Sequence, residues 1–131
     1  MLKKIIFILV LTFISVSLFA GYMHIKEVVY WQNPGNKEVI LQGSLEAARF
    51  SADSNQYIGC QVLIEENVSG GVTKYALCGG MDKDGKGVYG YTDDPEIIKI
   101  ANSISRGSTV TIHISKEMKV IRLKTSVASC N

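Results

Sequence analysis

Nucleophilic catalysis would need a serine or cysteine beside a histidine that a carboxylate orients. The chain offers two histidines, His24 and His113. His24 lies before every predicted strand and His113 takes an outward position in one, so we interpret both as solvent-facing side chains. No serine lies in a Gly-x-Ser-x-Gly elbow. The sequence therefore predicts a protein without enzymatic activity.

Metal binding is weakly indicated. The three cysteines and two histidines lack the close spacing of a zinc site. A calcium loop is partly matched, because Asp84 and Asp93 fall at the third and twelfth positions counted from Asp82. Lys86, however, places a positive charge at the fifth position, where an oxygen ligand is expected. We interpret the segment as a hairpin turn, keep Asp82, Asp84 and Asp93 as a weak calcium candidate, and predict no cofactor.

Two of the three cysteines are predicted to face each other across a β-hairpin. Residues 67–71 have the composition of a tight loop, and centring it on Ser69 places Cys60 directly opposite Cys78. Opposed residues of an antiparallel pair lie close enough for a disulfide. The alternative is that Cys60 and Cys78 are two buried thiols without a bond between them. Cys130 is left over, either free, bridging two protomers, or competing with the other two.

The N-terminal segment is typical of an export signal. Lys3 and Lys4 precede fifteen uncharged residues, 5–19, and Ala20 offers a small residue at a cleavage point. The apolar run is shorter than the roughly 20 residues of a membrane span, which favours cleavage over an uncleaved anchor. We expect residues 1–20 to be a signal peptide and the protein to be exported, periplasmic or secreted, from a bacterium. Membrane contact would occur only through this segment, if it stays uncleaved.

Charge is divided unevenly along the chain. Residues 21–96 carry six basic and eleven acidic side chains, whereas residues 97–131 carry six basic side chains and one acidic, Glu117. A nucleic-acid-binding domain would show a basic excess throughout, and exported proteins seldom meet nucleic acid. We therefore exclude nucleic acid as a partner. The opposite charges of the two halves would allow a head-to-tail homo-oligomer.

Residue alternation predicts a single domain over residues 37–131, after a lead-in at residues 21–36. The first strand is expected over residues 37–50, with a bend at Gly43. The second and third strands form the cysteine hairpin.

A helix and a final hairpin complete the predicted domain. Asp94 can cap the helix, Pro95 suits its first position, and Gly107 suits the residue beyond its end. In the last strand, Ile121 and Leu123 are predicted to face inward. The order is strand, strand, strand, helix, strand, strand.

This order, with a long first strand bent at a glycine, is similar to that of the OB-fold, a small five-stranded barrel. Residues 43–60, GSLEAARFSADSNQYIGC, also resemble a segment of small secreted bacterial proteins of uncharacterised function. The resemblance implies a mainly β fold with one helix, built as an OB-like barrel. It also implies a ligand surface on strands two and three, flanked by the loops at residues 51–56 and 116–119.

Aromatic and basic side chains supply the candidate binding surface, because recognition surfaces favour tyrosine and arginine. The candidates are Arg49, Tyr57, Tyr75, His113, Lys116, Lys119, Arg122 and Lys124. The alternative is structural, since tyrosines also fill barrel cores and outward lysines protect the edges of sheets.

We therefore predict an exported, non-enzymatic binding module whose partner is a protein or glycan of the cell envelope. An oligomeric toxin-like or adhesion subunit that binds glycan is the alternative, because the pentameric B-subunits of secreted toxins look like OB-folds of similar size. A small hydrolase ranks below both, since no catalytic base accompanies a nucleophile.

Overall fold

Two antiparallel sheets and two short helices make up residues 27–127, the part of the chain that the computed structural model describes. The first sheet has the order β1-β2-β6-β7, with β1 at Val29–Gln32, β2 at Val39–Ser44, β6 at Ser108–Ile114 and β7 at Val120–Val127. The second sheet contains β3 at Tyr57–Glu66, β4 at Val72–Met81 and β5 at Gly87–Thr92. The helices are α1 at Leu45–Arg49 and α2 at Pro95–Asn102. The predicted signal peptide, His24 and Cys130 lie outside the described residues.

The core lies between the two sheets. Alternate residues of β6 are buried along the whole strand, and Ile112 and Ile114 are completely inaccessible to solvent. Leu41 of β2 and Cys78 of β4 join them from the two sheets. Burying one such aliphatic side chain contributes about 1.5–3 kcal/mol. Each helix contacts strands of both sheets, so the helices help to join the two sheets.

The mainly β class is confirmed, but the five-stranded barrel and its element order are wrong. Strand β1 lies within the segment predicted as a lead-in and pairs with β2 in antiparallel register. The predicted first strand ends at Ser44, whose hydroxyl accepts a hydrogen bond from the Ala47 amide at 3.0 Å and starts α1. Strand β2 is therefore too short to run from one sheet into the other, and residues 27–127 form no closed barrel.

Gly43 has a different role from the predicted bend. It keeps its place in the β2–β6 ladder opposite Val110. A Cβ atom at this position would lie 2.9 Å from the backbone of Val28. The glycine therefore allows the chain before β1 to pack closely against β2.

Helix α2 begins where predicted and ends earlier. The Asp94 carboxylate accepts hydrogen bonds from the amides of Glu96 and Ile97, and Pro95 occupies the first turn. The helix stops at Asn102, and the Ser103 hydroxyl donates to the Ile100 carbonyl at 2.6 Å. Hydrogen bonding by the serine competes with continuation of the helix, so the predicted end at Gly107 is wrong.

The last strand contains an irregularity that the alternation pattern hides. Pairing shifts by one residue at the His113/Ile114 step, because Arg122 faces His113 while Val120 faces Ile114. Ile121 is the extra residue of this bulge and is 47% exposed, whereas Val120 and Leu123 are buried. The inward position is confirmed for Leu123 and wrong for Ile121.

The cysteine hairpin is confirmed. Strands β3 and β4 pair in the predicted register, with Cys60 opposite Cys78 and their Cα atoms 4.0 Å apart. The two sulfur atoms form a disulfide, which indicates an oxidising, exported environment. Within residues 27–127, no helix has both the length and the apolar character to cross a membrane.

Candidate functional site

Tyrosines gather on the outer surface of the β3-β4-β5 sheet. Successive strand residues point to opposite faces, and Ile58, Ala76 and Cys78 point into the core. The residues between them face outward. We call this surface the tyrosine face, and its members are Tyr57, Gly59, Gln61, Leu63, Tyr75, Leu77, Gly79, Tyr89 and Tyr91.

The four tyrosine rings form two pairs. The ring centroids of Tyr57 and Tyr89 lie 5.8 Å apart with an interplanar angle of 25°, and those of Tyr75 and Tyr91 lie 5.6 Å apart at 42°. Such contacts hold the rings in defined orientations. Tyr89 is nevertheless 53% exposed, so much of its apolar surface remains open to solvent.

A groove of about 620 Å³ lies on the tyrosine face. Tyr57 and Tyr89 line it together with Gln61 and Leu77, and its floor is the cross-strand pair Gly59 and Gly79. A Cβ atom at residue 79 would collide with the Val88 carbonyl and with the Tyr89 ring, so Gly79 allows that ring to lie flat on the sheet. A Cβ atom at Gly59 would meet nothing within 4 Å. The floor is therefore open above Gly59, where a ligand can approach the backbone closely.

Two phenols of this face, those of Tyr57 and Tyr75, stay protonated at physiological pH. Burial, followed by the interaction with the Tyr89 hydroxyl, raises the pKa of Tyr57 to about 12. The Tyr75 hydroxyl donates to a Glu65 carboxylate oxygen at 2.8 Å, and this hydrogen bond raises the pKa of Tyr75. Neutral phenols both donate and accept hydrogen bonds, which suits the recognition of hydroxyl-rich or amide-rich ligands.

Arg49, another predicted site residue, lies beside the groove. It belongs to the last turn of α1 and lines a second cavity of about 290 Å³ together with Arg106. We call this second space the arginine cavity. Tyr57 and Ile58 line both the groove and the arginine cavity, so the two are neighbours on one surface.

The remaining predicted residues lie elsewhere. His113, Arg122 and Lys124 are on the outer face of the β1-β2-β6-β7 sheet, on the other side of the core. Lys116 and Lys119 belong to the β6–β7 turn, which touches the end of β5 because the Tyr91 amide donates to the Met118 carbonyl at 2.8 Å. The structure therefore divides the predicted surface into an aromatic group and a basic group.

His113 has a weakened affinity for protons. Burial lowers its pKa below the ordinary 6.5, the neighbouring Arg122 acts in the same direction, and Glu38 opposes both. His113 therefore remains neutral at physiological pH. Arg122 supplies the positive charge at this point of the sheet.

The lowered pKa of His113 predicts a pH effect on stability. Below about pH 6.5 the unfolded chain binds more protons at this site than the folded chain, so stability falls as the pH drops through the interval between the two pKa values. An NMR titration of the imidazole should show a higher pKa in Arg122→Gln and a lower pKa in Glu38→Gln. Equal values in both variants would contradict the assignment of these neighbours.

The calcium candidate is a hairpin turn in the structure. One Asp82 carboxylate oxygen accepts hydrogen bonds from the amides of Asp84 and Lys86, each at 2.9 Å, and Gly85 has a φ of +82°. The carboxylate thus stabilises its own turn. Asp93 lines a separate cavity beside α2, and no three acidic, histidine or cysteine side chains of residues 27–127 are grouped as metal ligands.

Sequence reasoning missed Tyr89, Tyr91 and Arg106. The first two follow from the alternating segment Val88-Tyr89-Gly90-Tyr91, in which both tyrosines share one face. Extending the hairpin register from β4 to this segment would have added them to Tyr57 and Tyr75. No local signal marks Arg106, because its position beside Arg49 depends on the fold.

Comparisons with family models, curated proteins and solved structures found no match to this chain.

Proposed function

We propose that this chain is an exported, non-enzymatic binding module, active in the periplasm or after secretion, whose ligand is a glycan of the cell envelope or its surroundings. The observation that carries the proposal is the groove on the tyrosine face. Its walls are tyrosine rings, and its floor is glycine backbone. Binding sites of small ligands are typically concave and apolar with a few polar groups, and this groove has that composition.

A sugar ring fits the chemistry of the groove. One face of a pyranose ring presents C–H groups, which pack against aromatic rings such as Tyr57 and Tyr89. Its hydroxyl groups need hydrogen-bonding partners, which the Gln61 amide and the neutral phenol of Tyr57 supply. The open space above Gly59 allows the ring to reach the sheet without displacing a side chain.

Filling the groove tests this proposal. In Gly59→Val the new side chain occupies the open space above the floor, and we expect at least a tenfold loss of affinity for glycans that the wild type binds on a printed glycan array. Valine suits a strand better than glycine, so the free energy of unfolding should stay equal or rise slightly. Gln42→Val is the matched control, because it places valine on the outer face of the other sheet. This control should bind as the wild type does.

Two results would contradict the proposal. One is the absence of binding to every glycan on the array, acidic and neutral. The other is retained binding by a folded Gly59→Val variant, which would place the ligand away from the groove.

A further inference from the structure

We infer that the ligand is an acidic saccharide, whose ring lies in the groove while its carboxylate enters the arginine cavity. The inference rests on the proposed function and adds the chemical class of the ligand. It follows from the juxtaposition of an aromatic groove with a cavity that contains two arginines.

The two spaces are joined at Tyr57 and Ile58. Both residues line the groove on the tyrosine face and also the arginine cavity. Tyr57 therefore stands at the boundary between the spaces, with its ring packed against Tyr89 on the groove side. A ligand that stacks beside Tyr57 would therefore lie next to the cavity that the arginines line.

Arg49 and Arg106 reach this cavity from different elements. Arg49 ends α1, and its guanidinium carbon lies 5.7 Å from the centroid of the Phe50 ring, a cation–π contact. Arg106 lies in the turn that precedes β6. The only ion pair within residues 27–127 joins Lys116 to Glu117, so neither arginine has a carboxylate partner in that part of the chain.

Two further polar side chains of the cavity, Glu46 and Gln56, do not prevent the binding of an anion. Glu46 lines the cavity, but two guanidinium groups outweigh one carboxylate. Gln56 is buried and already engaged, since its Oε1 accepts from the Val28 amide and its Nε2 donates to Asp53. The cavity is therefore lined by two guanidinium groups and one carboxylate, and within residues 27–127 no hydrogen bond engages either guanidinium.

A carboxylate is the complementary group. Guanidinium binds carboxylate with two parallel hydrogen bonds, and two arginines line this cavity. An acidic peptide is the less suitable occupant, because extended peptides bind by pairing with strand edges. The groove lies on the face of the β3–β4 pair, whereas the strand edge that a peptide would use is the side of β3 away from β4. A saccharide needs only side-chain partners and an open face.

Matched acidic and neutral saccharides test the inference by calorimetric titration of the full chain. The probes are hexagalacturonate and sialyllactose, each compared with its methyl ester, which has the same rings without the charge. We expect at least one acid to bind tenfold or more tightly than its ester. Arg49→Gln and Arg106→Gln should each remove most of that difference, because a charge-assisted hydrogen bond is lost. Lys99 lines neither the groove nor the arginine cavity, so Lys99→Gln, which removes a positive charge from α2, should change affinity less than twofold.

The other outcomes separate the two proposals. If acid and ester bind equally and Gly59→Val abolishes both, the groove binds saccharides and the inference about charge is overturned. If the acids bind through the arginines and Gly59→Val has no effect, the site is an anion site alone and both proposals fail. Equal binding of a tetraglutamate peptide would identify the partner as protein and overturn the saccharide assignment, as would the absence of binding by all four saccharides.

Discussion

Loss of the disulfide is expected to lower the free energy of unfolding by about 3 kcal/mol in the double variant Cys60→Ala, Cys78→Ala. The bond joins residues 18 positions apart, and closing a loop of that length restricts the unfolded chain by an amount that corresponds to this energy. Cys78 is also completely buried, so its replacement by alanine removes packing atoms from the core. For a domain of this size, such a change is a large part of the total stability.

Urea denaturation of the wild type and the double variant, without reductant, measures this difference. Cys130→Ala is the control, because it removes the remaining thiol of the sequence while Cys60 and Cys78 stay paired. We expect the control to unfold at the wild-type midpoint. A loss below about 1 kcal/mol in the double variant would show that the hairpin is held by its sheet contacts alone.

The disulfide also connects stability with the candidate site. Cys60 and Cys78 point to the inner face of the sheet, directly beside Gly59 and Gly79, whose backbone forms the groove floor on the outer face. The bond thus fixes the register that brings the two glycines opposite each other. A shift of one residue would exchange the two faces of β3 and bury Tyr57.

The cysteine hairpin was predictable because the residues that determine its register lie close together in the sequence. A tight loop sets the register of the strands on either side, and that register determined the pairing of Cys60 with Cys78. The start of α2 was predictable for a similar reason, since Asp94 and Pro95 act within one turn of the helix.

The division into two sheets was not predictable in the same way. The division requires that β2 end at Ser44. There the Ser44 hydroxyl accepts a hydrogen bond from the Ala47 amide, which favours a short helix over a longer strand. The alternation breaks at Ala47-Ala48, and the helix-forming run of residues 45–49 after a serine is the signal that the strand prediction overlooked. Strand β1 was missed because it is four residues long, and among the strands of residues 27–127 it pairs with β2 alone.

Two tyrosines of the candidate site could be placed on one face from the sequence, whereas the shared position of the two arginines depends on the fold. Tyr57 and Tyr75 belong to the predicted hairpin, so their common face followed from its register. Arg49 and Arg106 are far apart in the sequence and line one cavity because α1 and the turn before β6 both border it. The sequence analysis placed Arg49 in one surface with the tyrosines and also with Arg122 and Lys124, and the structure places these last two on the opposite sheet.

The bulge in β7 gives the second large prediction, because it separates two residues that alternation treats as equivalent. Leu123 is 5% exposed and belongs to the core, whereas Ile121 is 47% exposed at the extra position. Leu123→Ala should lower the free energy of unfolding by about 2–4 kcal/mol, since it removes buried atoms and leaves a cavity. Ile121→Ala should change it by about 0.5 kcal/mol or less, as surface substitutions usually do.

Chemical denaturation of the two variants under identical conditions measures the contrast, and the slope of the unfolding curve should stay constant in both. Val120→Ala adds an independent check, because the bulge places Val120 in the core opposite Ile114. Val120→Ala should lower the free energy of unfolding more than Ile121→Ala does, even though it removes fewer atoms. Equal losses in Leu123→Ala and Ile121→Ala, with little effect at Val120, would mean that β7 keeps regular alternation and that the bulge is absent in solution.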